Sequence, residues 1–156
     1  MYQARLNDAS IALFRVLHSA GIKHGIFGGY AIAVLGGPRE SKDVDCIASV
    51  SKAQIISILN NKEGFQYIDQ SRDDYVAFLW SDRPDRAQAV LVEIFVEAFE
   101  GNTHNMQTVL RQVSGQVFAS GHASFLDPAY IFKGKLRAAA TRSKFHDSAD
   151  LWLADE

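Results

Sequence analysis

The stretch FGGYAIAVLGGPRESKDVDCIAS, from Phe27 to Ser49, decides how this chain is expected to fold. The residues KHGIF, which lead into it and end at Phe27, are typical of a short buried strand, and YAIAVLG after the first glycines predicts a helix that ends at Gly36 and Gly37. The polar loop PRESK then separates that helix from DVDCIAS, which predicts a second strand. The stretch therefore predicts a strand, a glycine turn, a helix and another strand.

Two aspartates occupy alternate positions of the second predicted strand. Side chains two residues apart lie on the same face of a strand, so Asp43 and Asp45 point one way while Val44 and Cys46 point the other. Like charges held this close repel each other unless a cation or a basic side chain lies between them. Hard divalent cations such as Mg²⁺ prefer carboxylate oxygens, so the pair predicts a metal site.

A third carboxylate is available from the apolar segment VLVEIFVE. An acid without a partner inside such a strand costs free energy, which makes Glu93 the candidate third ligand. Glu97 has the same parity, but it ranks second because it lies nearer the strand end, where water reaches it. The structural alternative for Glu93 is an acid on the solvent face of the sheet or in an ion pair.

The glycine pair Gly28 and Gly29 lies at the predicted junction of strand and helix. Backbone N–H groups at such a junction bind phosphate, and glycine allows the phosphate to approach the backbone closely. A glycine pair alone is usually a turn, and Asp-x-Asp alone is usually a solvated strand end. The combination, followed by an acid in a later strand, favours a phosphate and metal site.

Further elements complete a small mixed β-sheet flanked by helices, an α/β (α+β) fold in a single domain over residues 1–156. We expect a first helix over Ala9–Ala20 with Asp8 or Ser10 as N-cap, and a third helix capped by Ser51. FQYID, DYVAFLW and AVLVEIFVEAF predict strands, NMQTVLRQV a helix and GQVFAS a short strand. Two helices are predicted at the C-terminus, the first starting at Pro128.

Composition narrows the class of protein. The 156 residues are 47% hydrophobic, which suffices for a core, and the net charge of -2 offers no global attraction to nucleic acid or to anionic membranes. The N-terminal segment is interrupted by polar and charged residues, so it lacks the continuous apolar core of a signal peptide, and no stretch approaches the roughly 20 apolar residues of a membrane span. Cys46 is the only cysteine and is expected to be a small buried hydrophobe. We expect a soluble, cytoplasmic protein.

The motifs as a set resemble the nucleotidyltransferase superfamily, which includes DNA polymerase beta, aminoglycoside nucleotidyltransferases and small minimal members. Its pattern is an apolar residue, Gly-Gly or Gly-Ser, an Asp-x-Asp pair after ten or more residues, and an acid on a later strand. Here those positions are Gly28, Gly29, Asp43, Asp45 and Glu93. The chain departs from the commonest form of the pattern by having Glu as the third acid and Gly as the second residue of the pair.

The resemblance implies further contacts with the nucleotide. Arg39 and Ser41 match the Arg-x-Thr-x-Asp-x-Asp form of the smaller members, with Ser in place of Thr. The C-terminal segment is similar to the helical segment of minimal members and of nucleotidyltransferase-like toxins, where basic and acidic residues line the nucleotide pocket. The matching positions are Lys135, Lys144 and Asp147, with weaker matches at Lys133 and Arg142. The structural alternative is a set of surface ion pairs and, for Arg39, a pair with Asp43.

The activity that the resemblance implies is transfer of a nucleoside monophosphate from an NTP to an acceptor hydroxyl, with release of pyrophosphate. Asp43, Asp45 and Glu93 would be the catalytic residues and would hold Mg²⁺ or Mn²⁺ in a two-metal arrangement. The sequence leaves open which NTP is used and whether the acceptor is a small molecule, an RNA end or a protein hydroxyl. The alternatives are a catalytically inactive module that binds nucleotide or a protein partner, and a toxin-like enzyme that modifies tRNA or a protein.

Overall fold

The computed structural model describes residues 2–37, 41–69, 74–96 and 106–128. In this part of the chain three helices flank a seven-stranded sheet, so the predicted mixed α/β fold is confirmed. The helices are α1 (Tyr2–Ser19), α2 (Gly28–Val34) and α3 (Lys52–Leu59). The strands are β1 (His24–Phe27), β2 (Asp43–Ala48), β3 (Phe65–Ile68), β4 (Tyr75–Trp80), β5 (Val90–Val96), β6 (Thr108–Val113) and β7 (Gly121–Leu126). The C-terminal helices predicted after Pro128 lie outside the described residues.

The sheet has the strand order β3-β4-β5-β2-β1-β7-β6. β2 pairs in parallel with β5, and β1 pairs in parallel with β7, while every other neighbouring pair is antiparallel. The strand that carries the two aspartates therefore lies in the middle of the sheet, between β5 and β1. None of the helices within the described ranges is long and apolar enough to cross a membrane.

One continuous core joins the helices to the inner face of the sheet. Buried side chains of α1, such as Leu13, belong to the same hydrophobic cluster as Cys46 and Ile94. The predicted role of Cys46 is confirmed, because the residue has no exposed surface and burial raises the pKa of its thiol. The inner face of β2 and β5 is thus wholly apolar.

Helix α1 begins at Tyr2, seven residues before the predicted start, so the prediction that Asp8 or Ser10 caps it is wrong. Asp8 lies inside the helix with no exposed surface. Its carboxylate accepts hydrogen bonds from the backbone N–H groups of Gln116, Val117 and Phe118 at 3.0 to 3.1 Å. The carboxylate therefore anchors the turn after β6 instead of the end of its own helix.

The region after β5 was also predicted incorrectly. NMQTVLRQV was expected to be a helix, but Thr108–Val113 forms β6, and the GQVFAS segment expected to be a strand lies in the turn before β7. A hydrogen-bonded partner strand outweighs a weak local helix preference. Gly115 fits this turn because a Cβ there would lie 1.8 Å from Asp8 Oδ1.

Helix α3 begins where the sequence predicts. The Ser51 hydroxyl accepts a hydrogen bond from the Gln54 backbone N–H at 3.2 Å, and the Gln54 side chain accepts one from the Ser51 backbone N–H at 3.1 Å. This capping box satisfies two donors that the first turn otherwise leaves without partners. The prediction that Ser51 caps this helix is confirmed.

Candidate functional site

Three carboxylates meet on the outer face of the sheet, opposite the core. Asp43 and Asp45 lie on β2, and Glu93 lies directly beside Asp45 on β5 in the parallel register. Each residue offers one carboxylate oxygen, and these oxygens lie within 4.8 Å of one another. Among the described residues this acidic triad is the only group of three or more His, Cys, Asp or Glu side chains placed closely enough to share a metal ion.

The local pattern of the two strands explains why the acids project together. β2 alternates half-buried and buried residues, with Asp43 and Asp45 on the outer face and Val44 on the inner face. β5 has the same alternation, with Glu93 between the fully buried Val92 and Ile94. Because partners in register share a face, pairing Asp45 with Glu93 places all three acids on one side.

The triad has the chemistry of a site for a hard divalent cation. Its donors are all carboxylate oxygens, which Mg²⁺ and Mn²⁺ prefer over the nitrogen and sulfur ligands that zinc takes. All three residues are half-buried, so a bound ion would keep positions open for water or phosphate oxygens. A cation between the acids would also offset their mutual repulsion. The donor set of the triad therefore fits Mg²⁺ or Mn²⁺.

Gly28 borders the triad on the β1 side. Its φ of +82° lies in the region that favours glycine, and a Cβ would lie 2.8 Å from Asp45 Oδ2. The preceding residue, Phe27, pairs with Asp45 across β1 and β2, and α2 begins at Gly28 itself. The backbone of Gly28 and Gly29 thus starts a helix right beside a metal-ligand candidate, as the sequence predicts.

The remaining predicted site residues divide into one that the structure describes and several that it does not. Ser41 is half-buried, and its hydroxyl donates a hydrogen bond to the Asp43 carbonyl oxygen at 3.0 Å. This contact attaches the loop before β2 to the first acid of the triad. The other predicted positions lie outside the described residues, namely Arg39, Glu97, Lys133, Lys135, Arg142, Lys144 and Asp147.

A group of aromatic rings lies on the outer face, and of these the sequence singles out only Phe27, for which core packing is the expected role. The Phe27 ring centroid lies 5.7 Å from that of Phe95, and Tyr75 stacks on Phe95 with centroids 5.4 Å apart. We call Phe27, Phe95 and Tyr75 the aromatic strip. Phe95 has the parity of Glu93, which is a visible signal, but only the strand register places Tyr75 and Phe27 beside it.

Tyr30 and His24 are buried in the core. Tyr30 is 1% exposed, its hydroxyl donates to Asn7 Oδ1, and burial raises the pKa of its phenol. His24 is 3% exposed, its Nδ1 lies 3.1 Å from the Ile22 carbonyl oxygen, and burial lowers the pKa of its imidazole to about 4. Both side chains are therefore buried in the core.

Two solved structures are similar to this chain over most of its length. One is the crystal structure of an antigenic nucleotidyltransferase-like protein from Paracoccidioides brasiliensis, with a TM-score of 0.64, 19% identity and coverage of 96% of this chain and 74% of that one. The other is ANT(2″)-Ia in complex with adenylyl-2″-tobramycin, with a TM-score of 0.56, 15% identity and coverage of 96% and 87%. No protein-family model and no curated protein matches the sequence. The similarity establishes the fold, which is that of nucleotidyltransferases.

Proposed function

We propose that this chain, which has the nucleotidyltransferase fold, is a metal-dependent nucleotidyltransferase that moves a nucleoside monophosphate from an NTP to an acceptor hydroxyl. The observation that carries the proposal is the convergence of Asp43, Asp45 and Glu93 within 4.8 Å beside the Gly28 turn. Three carboxylates held together on one face of the sheet supply the all-oxygen donor set that hard divalent cations prefer. A divalent cation that in turn binds a triphosphate explains both features.

The three carboxylates would hold Mg²⁺ or Mn²⁺, and such ions, when bound, neutralise the phosphoryl oxygens and the leaving group. Asp45 lies next to Gly28, so Asp45, together with Asp43 on the same strand face, would serve the triphosphate. Glu93 lies on the β5 side of Asp45 and would serve the acceptor. The sheet itself holds the acids in position, because Asp45 and Glu93 are each flanked in their strands by buried residues and Asp43 is followed by the buried Val44.

The reaction is an in-line displacement at the α-phosphorus of the NTP. The acceptor oxygen forms a bond to phosphorus while the bond to the β-phosphate oxygen breaks, and pyrophosphate leaves. The proton of the acceptor hydroxyl passes to the Glu93 carboxylate, which acts as the general base. Glu93 is half-buried and therefore remains able to exchange that proton with water afterwards.

Nucleotide binding would involve residues on both sides of the triad. The amides of Gly28 and Gly29 would donate to phosphate oxygens, because no side chain there keeps the phosphates away. Ser41 would hold Asp43 in position through its hydrogen bond to the backbone. Arg39, Lys135, Lys144 and Asp147 remain proposed nucleotide contacts from the sequence, and a cytoplasmic location and a single domain over residues 1–156 remain predictions.

The test is a thermal-shift titration of each NTP with Mg²⁺ or Mn²⁺, followed by a transfer assay with radiolabelled NTP. We expect a metal-dependent rise in melting temperature for at least one NTP, and loss of that rise in Asp43→Asn. Asp85→Asn is the matched control, because it removes the same charge from an exposed loop residue. Equal shifts in both variants, or nucleotide binding without metal and without transfer, would favour the inactive-module alternative.

A further inference from the structure

We infer that Phe95 and Tyr75 of the aromatic strip bind the base of the acceptor, so that the acceptor is a nucleobase-bearing molecule with a ribose hydroxyl. The inference rests on the proposed function, because it names the substrate of that same site. It does not depend on which NTP is the donor. It follows from where the rings lie relative to the acidic triad.

The strip and the triad share one face of the sheet. Phe95 lies two residues beyond Glu93 on β5, so its side chain is displaced by ~6.6 Å along the strand on the same face. Tyr75 is the partner of Phe95 on β4, and the two rings are stacked with an interplanar angle of 28°. Phe27, the partner of Asp45 on β1, closes the strip from the other side.

The rings of the strip differ in burial from the aromatic residues of the core. Phe78 and Trp80 on β4 have 0% and 1% exposure, whereas Phe27, Phe95 and Tyr75 are all half-buried. Large partly exposed rings beside a polar site are the platform on which proteins stack unpaired bases.

The position of the strip favours the acceptor over the donor. Gly28, where the triphosphate would bind, borders Asp45 from β1. Phe95 and Tyr75 lie on β5 and β4, on the opposite side of β2, and are reached by passing Glu93. A group resting on these two rings therefore approaches the triad from the side of its proposed general base.

The spacing favours a nucleoside over a tyrosine side chain as acceptor. A nucleoside has a ribose between base and hydroxyl, which bridges the two-residue step from Phe95 back to Glu93. A tyrosine bears its oxygen on the ring itself, so stacking on Phe95 would leave that oxygen short of Glu93. The net charge of -2 also suits a single terminal nucleotide better than a long nucleic-acid surface.

Binding is tested first without catalysis, in EDTA, with a fluorescein-labelled RNA hexamer and separately with nucleoside monophosphates. We expect Phe95→Leu and Tyr75→Leu each to weaken binding roughly ten-fold, and Tyr75→Phe to bind as wild type, because a base loses one stacking ring in the first two. Tyr67→Leu is the matched control, because Tyr67 is a half-buried ring paired with Phe78 on the inner face. The two probes distinguish an RNA end from a free nucleotide.

The same variants are then compared in the transfer assay, with the hexamer or the monophosphate as acceptor and Mg²⁺ present. We expect KM for the acceptor to rise roughly ten-fold while KM for the NTP stays unchanged. Absence of binding to both probes, equal loss in Tyr67→Leu, or a rise in the KM for the NTP alone would overturn the acceptor assignment. Intact strip-dependent binding with no transfer would instead overturn the proposed enzyme and leave the base-binding surface standing.

Discussion

The two faces of the central strand pair β2 and β5 differ in burial and in charge. The inner face, with Val44, Cys46 and Val92, has no exposed area at all. The outer face of the same two strands bears the half-buried acids Asp45 and Glu93, which alternate with these buried residues along each strand. Burial of the apolar inner face stabilises the folded state. The outer face can therefore carry acids whose mutual repulsion destabilises it.

The largest expected effect comes from moving a charge to the inner face. Val92→Asp buries a carboxylate without a partner, and we expect the free energy of unfolding to fall by roughly 3–5 kcal/mol. Leu79→Asp is the matched control, because Leu79 is half-buried on the outer face and its strand partners, Leu91 and Gln66, carry no charge. Urea unfolding followed by circular dichroism measures both. Similar losses in the two variants would mean that the faces are not distinct.

The converse change removes a charge from the outer face. Asp45→Asn should lower the rate of nucleotidyl transfer by roughly 10²–10³-fold, because a neutral amide replaces a charged carboxylate ligand of the proposed metal site. Its melting temperature without metal should rise or stay equal, because repulsion with Asp43 and Glu93 is relieved. A variant that transfers at the wild-type rate would refute the metal-site proposal, and a variant that unfolds would show that Asp45 is structural.

The buried imidazole of His24, on the inner side of the sheet, gives a further test of how the two faces differ. The pKa of His24 is lowered by burial from 6.5 to about 4, so between these pH values the unfolded chain binds more protons than the folded one. Stability should therefore fall as the pH drops from about 6.5 to 4, by about 3 kcal/mol in total.

Urea unfolding at several pH values measures this dependence. His24→Gln should flatten the curve in that window, whereas His122→Gln, at an exposed position, should leave it unchanged. A wild-type curve without slope in that range would show that the buried imidazole is not responsible for acid sensitivity.

The smallest expected effect separates backbone strain from crowding at the triad. Gly28 and Gly21 both have positive φ, at +82° and +72°, so an alanine at either should cost about 1 kcal/mol in stability. Only at Gly28 would the new Cβ meet Asp45, at 2.8 Å, whereas a Cβ at Gly21 meets nothing within 4 Å. We expect Gly28→Ala alone to weaken the metal-dependent nucleotide shift. Equal weakening in Gly21→Ala would remove the special role of Gly28.

Local signals identified most of the elements and the three acids. The alternation in DVDCIA and VLVEIF determines which residues of each strand share a face, and the Ser51 and Gln54 spacing determines where α3 starts. These signals are reliable because each depends on neighbours within four residues. The glycine turn before α2 is of the same kind, since its positive φ is a property of one position.

Only the tertiary structure decided what depends on distant partners. Aspartate is a residue type that commonly caps helices. Asp8 instead lies inside α1, where backbone N–H groups more than one hundred residues away in sequence donate hydrogen bonds to its carboxylate. β6 is a strand because β7 pairs with it, and not because of its own sequence preference.

The site follows the same division. The strands DVDCIA and VLVEIF by themselves determine that Asp43, Asp45 and Glu93 lie on outer faces, because side-chain parity is a local property of extended backbone. That the third acid stands beside the second, and that Tyr75 and Phe27 flank Phe95, depends on register. Register is set by the packing of the whole sheet against its core, which no short stretch of sequence contains.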